Sequence, residues 1–201
     1  MKKKLVSTTK FSLLLAILAI FCFTTLGQIP IGPLVATLAM IPVIITGISM
    51  GVAAGSAMGL MAGIFSLIVW STNLLASPVA FVFTPLKEGG NFGSLLICLV
   101  PRILVGTSAA LSYQLLHKMM PKKQGLAIAI SASIGSLINT ILVMGGIWLF
   151  FGEQYATVAG KTMLAIVGAT VITNGIPEIV ASIVIAVPVC MALFRLQRSY
   201  E

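Results

Sequence analysis

Acidic side chains are almost missing from this chain, with four against twelve lysines and arginines in 201 residues, and there is a single histidine. Most hydrolytic and metal-dependent mechanisms therefore lack their bases, nucleophile partners and ligands. No H-E-x-x-H, G-x-S-x-G or paired acidic metal motif occurs. The three cysteines, Cys22, Cys98 and Cys190, show no paired spacing, which argues against a disulfide framework or a zinc site. They read as small apolar residues inside apolar segments. Ala159-Gly160-Lys161-Thr162 resembles the end of a phosphate-binding loop, but the glycine required five residues before the Gly-Lys pair is replaced by Tyr155. The chain has no means of binding and splitting ATP alone. It is read as a protein that is not an enzyme and needs no cofactor.

What fills the sequence instead is apolar: 59% hydrophobic residues, 8% charged residues and a mean hydropathy of +1.14. At about 20 residues per membrane span, the length leaves room for roughly six helices and no separate soluble domain. The expected class is all-α, a polytopic membrane protein of one domain over 1–201, with two long outer loops. Hydropathy places the spans near 6–27, 35–51, 53–76, 93–117, 125–151 and 174–195. The first 27 residues resemble a signal peptide, but no A-x-A-like site follows and Phe21 before Cys22 is unsuited to lipoprotein cleavage. The segment reads as a retained first helix.

The formal charge of +8 invites a nucleic-acid reading, which the placement of the charges argues against. Lys2, Lys3, Lys4, Lys10, Lys118, Lys122, Lys123, Arg195 and Arg198 flank spans on one side, and only Lys87 and Lys161 flank them on the other. By the positive-inside rule both termini are expected in the cytoplasm of a multi-pass cell-membrane protein. His117 reads as an interfacial residue at a helix end.

Segment 162–194 is too long for one upright span, and Asn174-Gly175-Ile176-Pro177 offers a break, since proline disfavours helix just before it. The last span is then expected to begin near Pro177, with 156–173 as an interfacial or re-entrant helix. The other outer loop, 77–92, is rich in proline and glycine. Two such loops are expected to act as lids over a pocket. Gly47, Gly51, Gly55, Gly59 and Gly63 recur every four residues, the spacing for close packing between the second and third spans. Ser12 and Ala16, with Ala19 close by, form a similar small-residue strip on the first span.

Charged residues inside spans cost at least about 2.5–3.5 kcal/mol on insertion scales and mark functional sites by default. Arg102 and Glu178 are such residues. Trp70, Asn73, Asn139 and Asn174 join them in the outer half of the bundle. The set offers a cation, an anion, amide groups and aromatic surface, which suits a small polar solute entering from outside. Simple pairing of Arg102 with Glu178 as a brace is the alternative. Trp148 and Tyr155 could stack on a ring or pack against lipid.

Several segments, in order, resemble the substrate-binding S components of energy-coupling factor (ECF) vitamin transporters. They are Ile29-Pro30-Ile31-Gly32-Pro33, Ile41 to Gly47, Ser66-Leu67-Ile68, Phe81-Val82-Phe83-Thr84-Pro85, Asn91 to Leu95, Val100 to Gly106 and Asn174 to Glu178. The resemblance implies a six-helix subunit that captures a vitamin and works with a transmembrane coupling subunit and two ATP-binding subunits. It implies docking on the coupling subunit through Ser12, Ala16 and Ala19, with serine in place of the usual first alanine. The Phe-Val-Phe-Thr-Pro and Val-Pro-Arg-Ile segments look most like pantothenate-type members. Arg102 is then expected to take the carboxylate, and Asn139, Asn174 and Glu178 the amide and hydroxyl groups. Riboflavin or folate is the alternative ligand, and the alternative classes are a secondary carrier using Glu178 and an intramembrane enzyme acting on lipid.

Overall fold

A computed structural model describes residues 2–31, 34–72, 80–160 and 162–199. Five of its helices are long and apolar enough to cross a membrane, and a sixth apolar helix is shorter. The helices are α1 (Lys2–Phe23), α2 (Met40–Met50), α3 (Val52–Ser71), α4 (Phe92–Met119), α5 (Gln124–Ala159), α6 (Met163–Thr170) and α7 (Ile176–Ser199). Between α1 and α2 runs a short antiparallel ribbon, β1 (Gln28–Ile31) with β2 (Leu34–Thr37), the one pair of strands among the described residues. The second span thus begins as helix at Met40, not near 35, and strand takes the preceding residues.

α2 has eleven residues, so at 1.5 Å each it reaches about 16 Å, half of a bilayer core. Its Gly47 lies against Gly106 and Ala110 of α4, and Gly51 lies beside Gln114. Counting seven residues back along α2 puts its first turn near the depth of Arg102. The chain returns from the end of α1 to that depth through the ribbon. Non-helical backbone at membrane depth is tolerated where it is covered by protein or lines a polar space. Here β2 packs against residues 171–175.

The glycine run finds a different partner from the one expected. Gly51, at φ 92°, turns the chain sharply between α2 and α3, and Gly55 does approach the Cα of Gly47. The ladder beyond it, however, lies on α4: Gly55 against Gly106, Gly59 against Arg102, and Gly63 against Cys98 and Leu99. A β-carbon on Gly59 would sit 2.1 Å from the Arg102 carbonyl oxygen, so the two backbones meet with no room for a side chain.

The described part of the loop before α4, residues 80–91, is fastened to the bundle, and residues 77–79 of the expected lid lie outside the described residues. Phe81 and Val82 are buried with Ile97, Met144, Ile147, Phe151 and Tyr155. Ser94 Oγ donates to the Phe81 carbonyl at 2.8 Å, and the Ser71 and Thr84 hydroxyls bond at 2.7 Å. Asn91 caps α4, accepting from the Gly93 N–H at 2.7 Å, while its own N–H donates to Ser94 Oγ.

The expected break at Asn174–Pro177 is instead a change of helical pitch. α6 runs into a π-turn, Val171–Gly175, which runs into α7. The Ile176 N–H bonds the Val171 carbonyl five residues back. Proline clashes with the carbonyl four residues before it, and one wide turn absorbs the clash without ending the helix. Residues 156–159 belong to α5, which ends at Gly160 in the left-handed conformation (φ 63°).

Candidate functional site

Two apolar clusters divide the bundle by depth. One, towards the Asn91 end, holds Phe81, Ile97, Met144, Phe151 and Tyr155. The other, towards the Lys118 end, holds Leu18, Ile44, Met58, Val105, Ala109, Ala132, Ala186 and Cys190. On α4 the gap between them falls at Arg102, between Ile97 and Val105. On α5 it falls at Asn139, between Ala132 and Met144. On α4 and α5 the polar residues occupy the stretch between the two clusters, level with the Met40–Ile41 start of α2.

Arg102 is half-buried, and its Nη1 donates to the Ile97 carbonyl at 2.8 Å. Its Nε is buried with no hydrogen-bond partner among the described residues. The guanidinium carbon lies 5.8 Å from the centre of the Phe83 ring, within cation–π range. Phe83 in turn stacks on Trp70, with centroids 4.8 Å apart. Trp70 reaches the site through Phe83, a residue the polar-residue reading passed over. Its signal was its place in the Phe81–Pro85 segment. Asn73 lies outside the described residues.

Asn139 is buried, and its Oδ1 has no hydrogen-bond partner among the described residues. An amide oxygen left so costs about 1–3 kcal/mol unless a ligand or water donates to it. Gly135, one turn before Asn139, lies against Ile44 of α2, so Asn139 faces the level where α2 begins. Beside it runs a polar seam between α5 and α7. Ser136 and Ser182 share a hydrogen bond of 2.8 Å, and Gly175 of the π-turn rests on Thr140. Glu178, half-buried, stands one turn from Ser182 on α7. It comes level with Asn139, while Asn174 sits in the π-turn itself. Ser136 and Ser182 carried no signal in the sequence, because buried serines usually bond their own helix.

The remaining residues separate from this layer. Trp148 is exposed on α5, and Tyr155 belongs to the apolar cluster. His117 stacks on Tyr113 at 5.5 Å, nearer the Lys118 end. The cysteines are free, and Cys98 Sγ approaches the Gly63 carbonyl at 3.5 Å. On α1, Ser12 and Ala16 are exposed and Ala19 is half-buried, while Leu14 and Leu18 face the core. No cluster of three or more metal-ligating side chains occurs among the described residues.

The layer thus sets a cation with an aromatic backing on α4 across from amide and carboxylate oxygens on α5 and α7. It can hold a small anion whose other end carries hydrogen-bond donors. The sequence matches the family described as "ECF transporter, substrate-specific component" over residues 6–190. It is also similar to the pantothenic acid transporter PanT of Lactococcus lactis subsp. cremoris (strain MG1363), with 30% identity over 168 residues, 81% of this chain and 80% of that protein.

Proposed function

From the fact that this chain belongs to the ECF transporter substrate-specific component family, we propose that it captures pantothenate for import. It is a multi-pass membrane transport protein, and its bound solute passes to an ATP-driven complex. The observation that carries the ligand assignment is Arg102, a half-buried cation within a helix long and apolar enough to cross a membrane, whose Nε has no acceptor among the described residues. A cation so placed favours an anionic ligand. The likeness to a pantothenic acid transporter supports pantothenate as that anion.

Pantothenate is a carboxylate joined through an amide to a carbon chain with two hydroxyls. Its carboxylate pairs with Arg102. Its hydroxyls and amide N–H donate towards Asn139 Oδ1 and the oxygens of Asn174 and Glu178. Phe83, backed by Trp70, and the buried face of α2 enclose the aliphatic middle. Asn73, outside the described residues, stays a candidate. The partners are a transmembrane coupling subunit, which docks on the exposed Ser12 and Ala16 with Ala19 at the edge, and two ATP-binding subunits. The termini lie in the cytoplasm, the side on which nine of the lysines and arginines collect.

Equilibrium binding of labelled pantothenate to the purified, detergent-solubilised chain tests this reading, with riboflavin, folate, thiamine and biotin as competitors. Displacement by unlabelled pantothenate alone is the expected result. Displacement by another vitamin would keep the capture function and change the ligand, and binding of none would remove it.

A further inference from the structure

Pro101 stands inside α4 and has no N–H, so it cannot give the helical hydrogen bond to the carbonyl four residues back. That carbonyl belongs to Ile97. It receives Nη1 of Arg102 instead, at 2.8 Å. The residue that interrupts the backbone ladder and the residue that uses the interruption are neighbours in sequence. We infer that Pro101 is a positioning residue for Arg102: by freeing the Ile97 carbonyl it ties down Nη1 and leaves the Nε–Nη2 edge of the guanidinium for a ligand carboxylate.

Three observations define that edge. Nη1 is engaged by its own helix, Nε is buried with no hydrogen-bond partner among the described residues, and the centre of the Phe83 ring lies 5.8 Å from the guanidinium carbon. A long side chain held at one donor and backed by a ring loses little further freedom when a ligand arrives. The edge that remains offers two parallel N–H groups, which match the two oxygens of a carboxylate. A neutral hydroxyl engages one of them. Pro101 therefore acts on discrimination between an acid and its uncharged analogue, not on capture in general. This rests on the reading that Arg102 takes the substrate's carboxylate. The competing explanation is that Pro101, which is buried, only shapes α4 for its neighbours, in which case its replacement affects every ligand alike.

The two accounts separate in a binding experiment on the full chain in detergent. Pantothenate is compared with pantothenol, in which a hydroxymethyl group replaces the carboxylate, for the native protein and for Pro101→Ala and Pro101→Val. Both substitutions restore the N–H, and valine also keeps most of the ring's volume. The native chain is expected to prefer pantothenate. In both variants pantothenate affinity should fall at least tenfold while pantothenol affinity stays within twofold, and the ligand-free melting temperature should not drop. Equal losses for the two ligands, an unchanged preference for pantothenate, or failure of both variants to fold would each overturn the inference. If the native chain bound the two ligands equally, the pairing of Arg102 with the carboxylate would fall first. If it bound neither, the substrate assignment itself would fall.

Discussion

Arg102 Nε and Asn139 Oδ1 have no hydrogen-bond partner among the described residues, so in the proposed site each would trade stability against binding. A hydrogen bond to a charged group contributes about 1.5–3 kcal/mol net, which is roughly 10- to 150-fold in affinity. Arg102→Ala should weaken pantothenate binding by that range in an equilibrium titration, and unchanged affinity would remove Arg102 from the site. Asn139→Leu has the opposite signature in the two assays. It deletes a buried amide oxygen that has no donor among the described residues, so the ligand-free protein should melt at the same temperature or higher. Pantothenate affinity should fall about tenfold, the worth of one hydrogen bond of about 1.4 kcal/mol. A variant that lost stability and kept affinity would show Asn139 to be part of the frame. Neither partnership was readable beforehand: a lone Arg or Asn in an apolar run announces a polar site, but not which atoms remain for a ligand.

Among the helices, α3 and α4 meet backbone to backbone, and their contact fixes the turn that carries Arg102. Gly59→Ala would place a β-carbon 2.1 Å from the Arg102 carbonyl oxygen, and Gly106→Ala would place one 2.1 Å from that of Gly55. Such overpacking typically costs 1–3 kcal/mol or more, and here no flexible side chain is available to yield. Both variants should melt well below the native protein in detergent, and Gly59→Ala should also weaken pantothenate binding. Gly145, inside α5 with nothing within 4 Å of an added β-carbon, is the control. Gly145→Ala should be neutral or stabilising by about 0.5–1 kcal/mol, because alanine favours helix over glycine. Equal melting of all three variants would show the ladder to be loose. The four-residue spacing gave notice of a tight contact, but spacing alone does not name the neighbour. The sequence order suggested α2 against α3, and the close turn at Gly51 folds those two together while presenting most of the ladder to α4.

For the molecule as a whole, the proposed capture site and the proposed coupling face lie on different surfaces. The polar residues lie on α4, α5 and α7 and in the turn before α7, whereas Ser12 and Ala16 stand on the exposed face of α1. Lys10 ties α1 to the end of α7, its Nζ donating to the Leu193 carbonyl at 3.3 Å and lying 3.5 Å from the Gln197 side chain. Ala16→Trp should therefore abolish co-purification with a transmembrane coupling subunit and ATP-dependent uptake into vesicles, while leaving pantothenate binding by the isolated chain within twofold. Loss of binding with retention of the complex would reverse the assignment of the two surfaces.

Membrane class, the number of apolar segments, the charge asymmetry and the presence of a polar centre were all determined by the sequence alone. Each depends on composition summed along the chain, and the cost of placing a polar or charged group in hydrocarbon is large enough to show in that sum. Only the tertiary structure decided the half-length of α2, the π-turn in place of a break at Pro177, and the fastening of the 80–91 loop. It also decided that Phe83 backs Arg102 and that Pro101 frees the carbonyl Arg102 uses. Those features depend on which surfaces meet and which backbone oxygens lose their donors. A proline reads in sequence as an interruption, and only its neighbours in space determine whether the interruption ends a helix, widens it or hands an oxygen to a side chain.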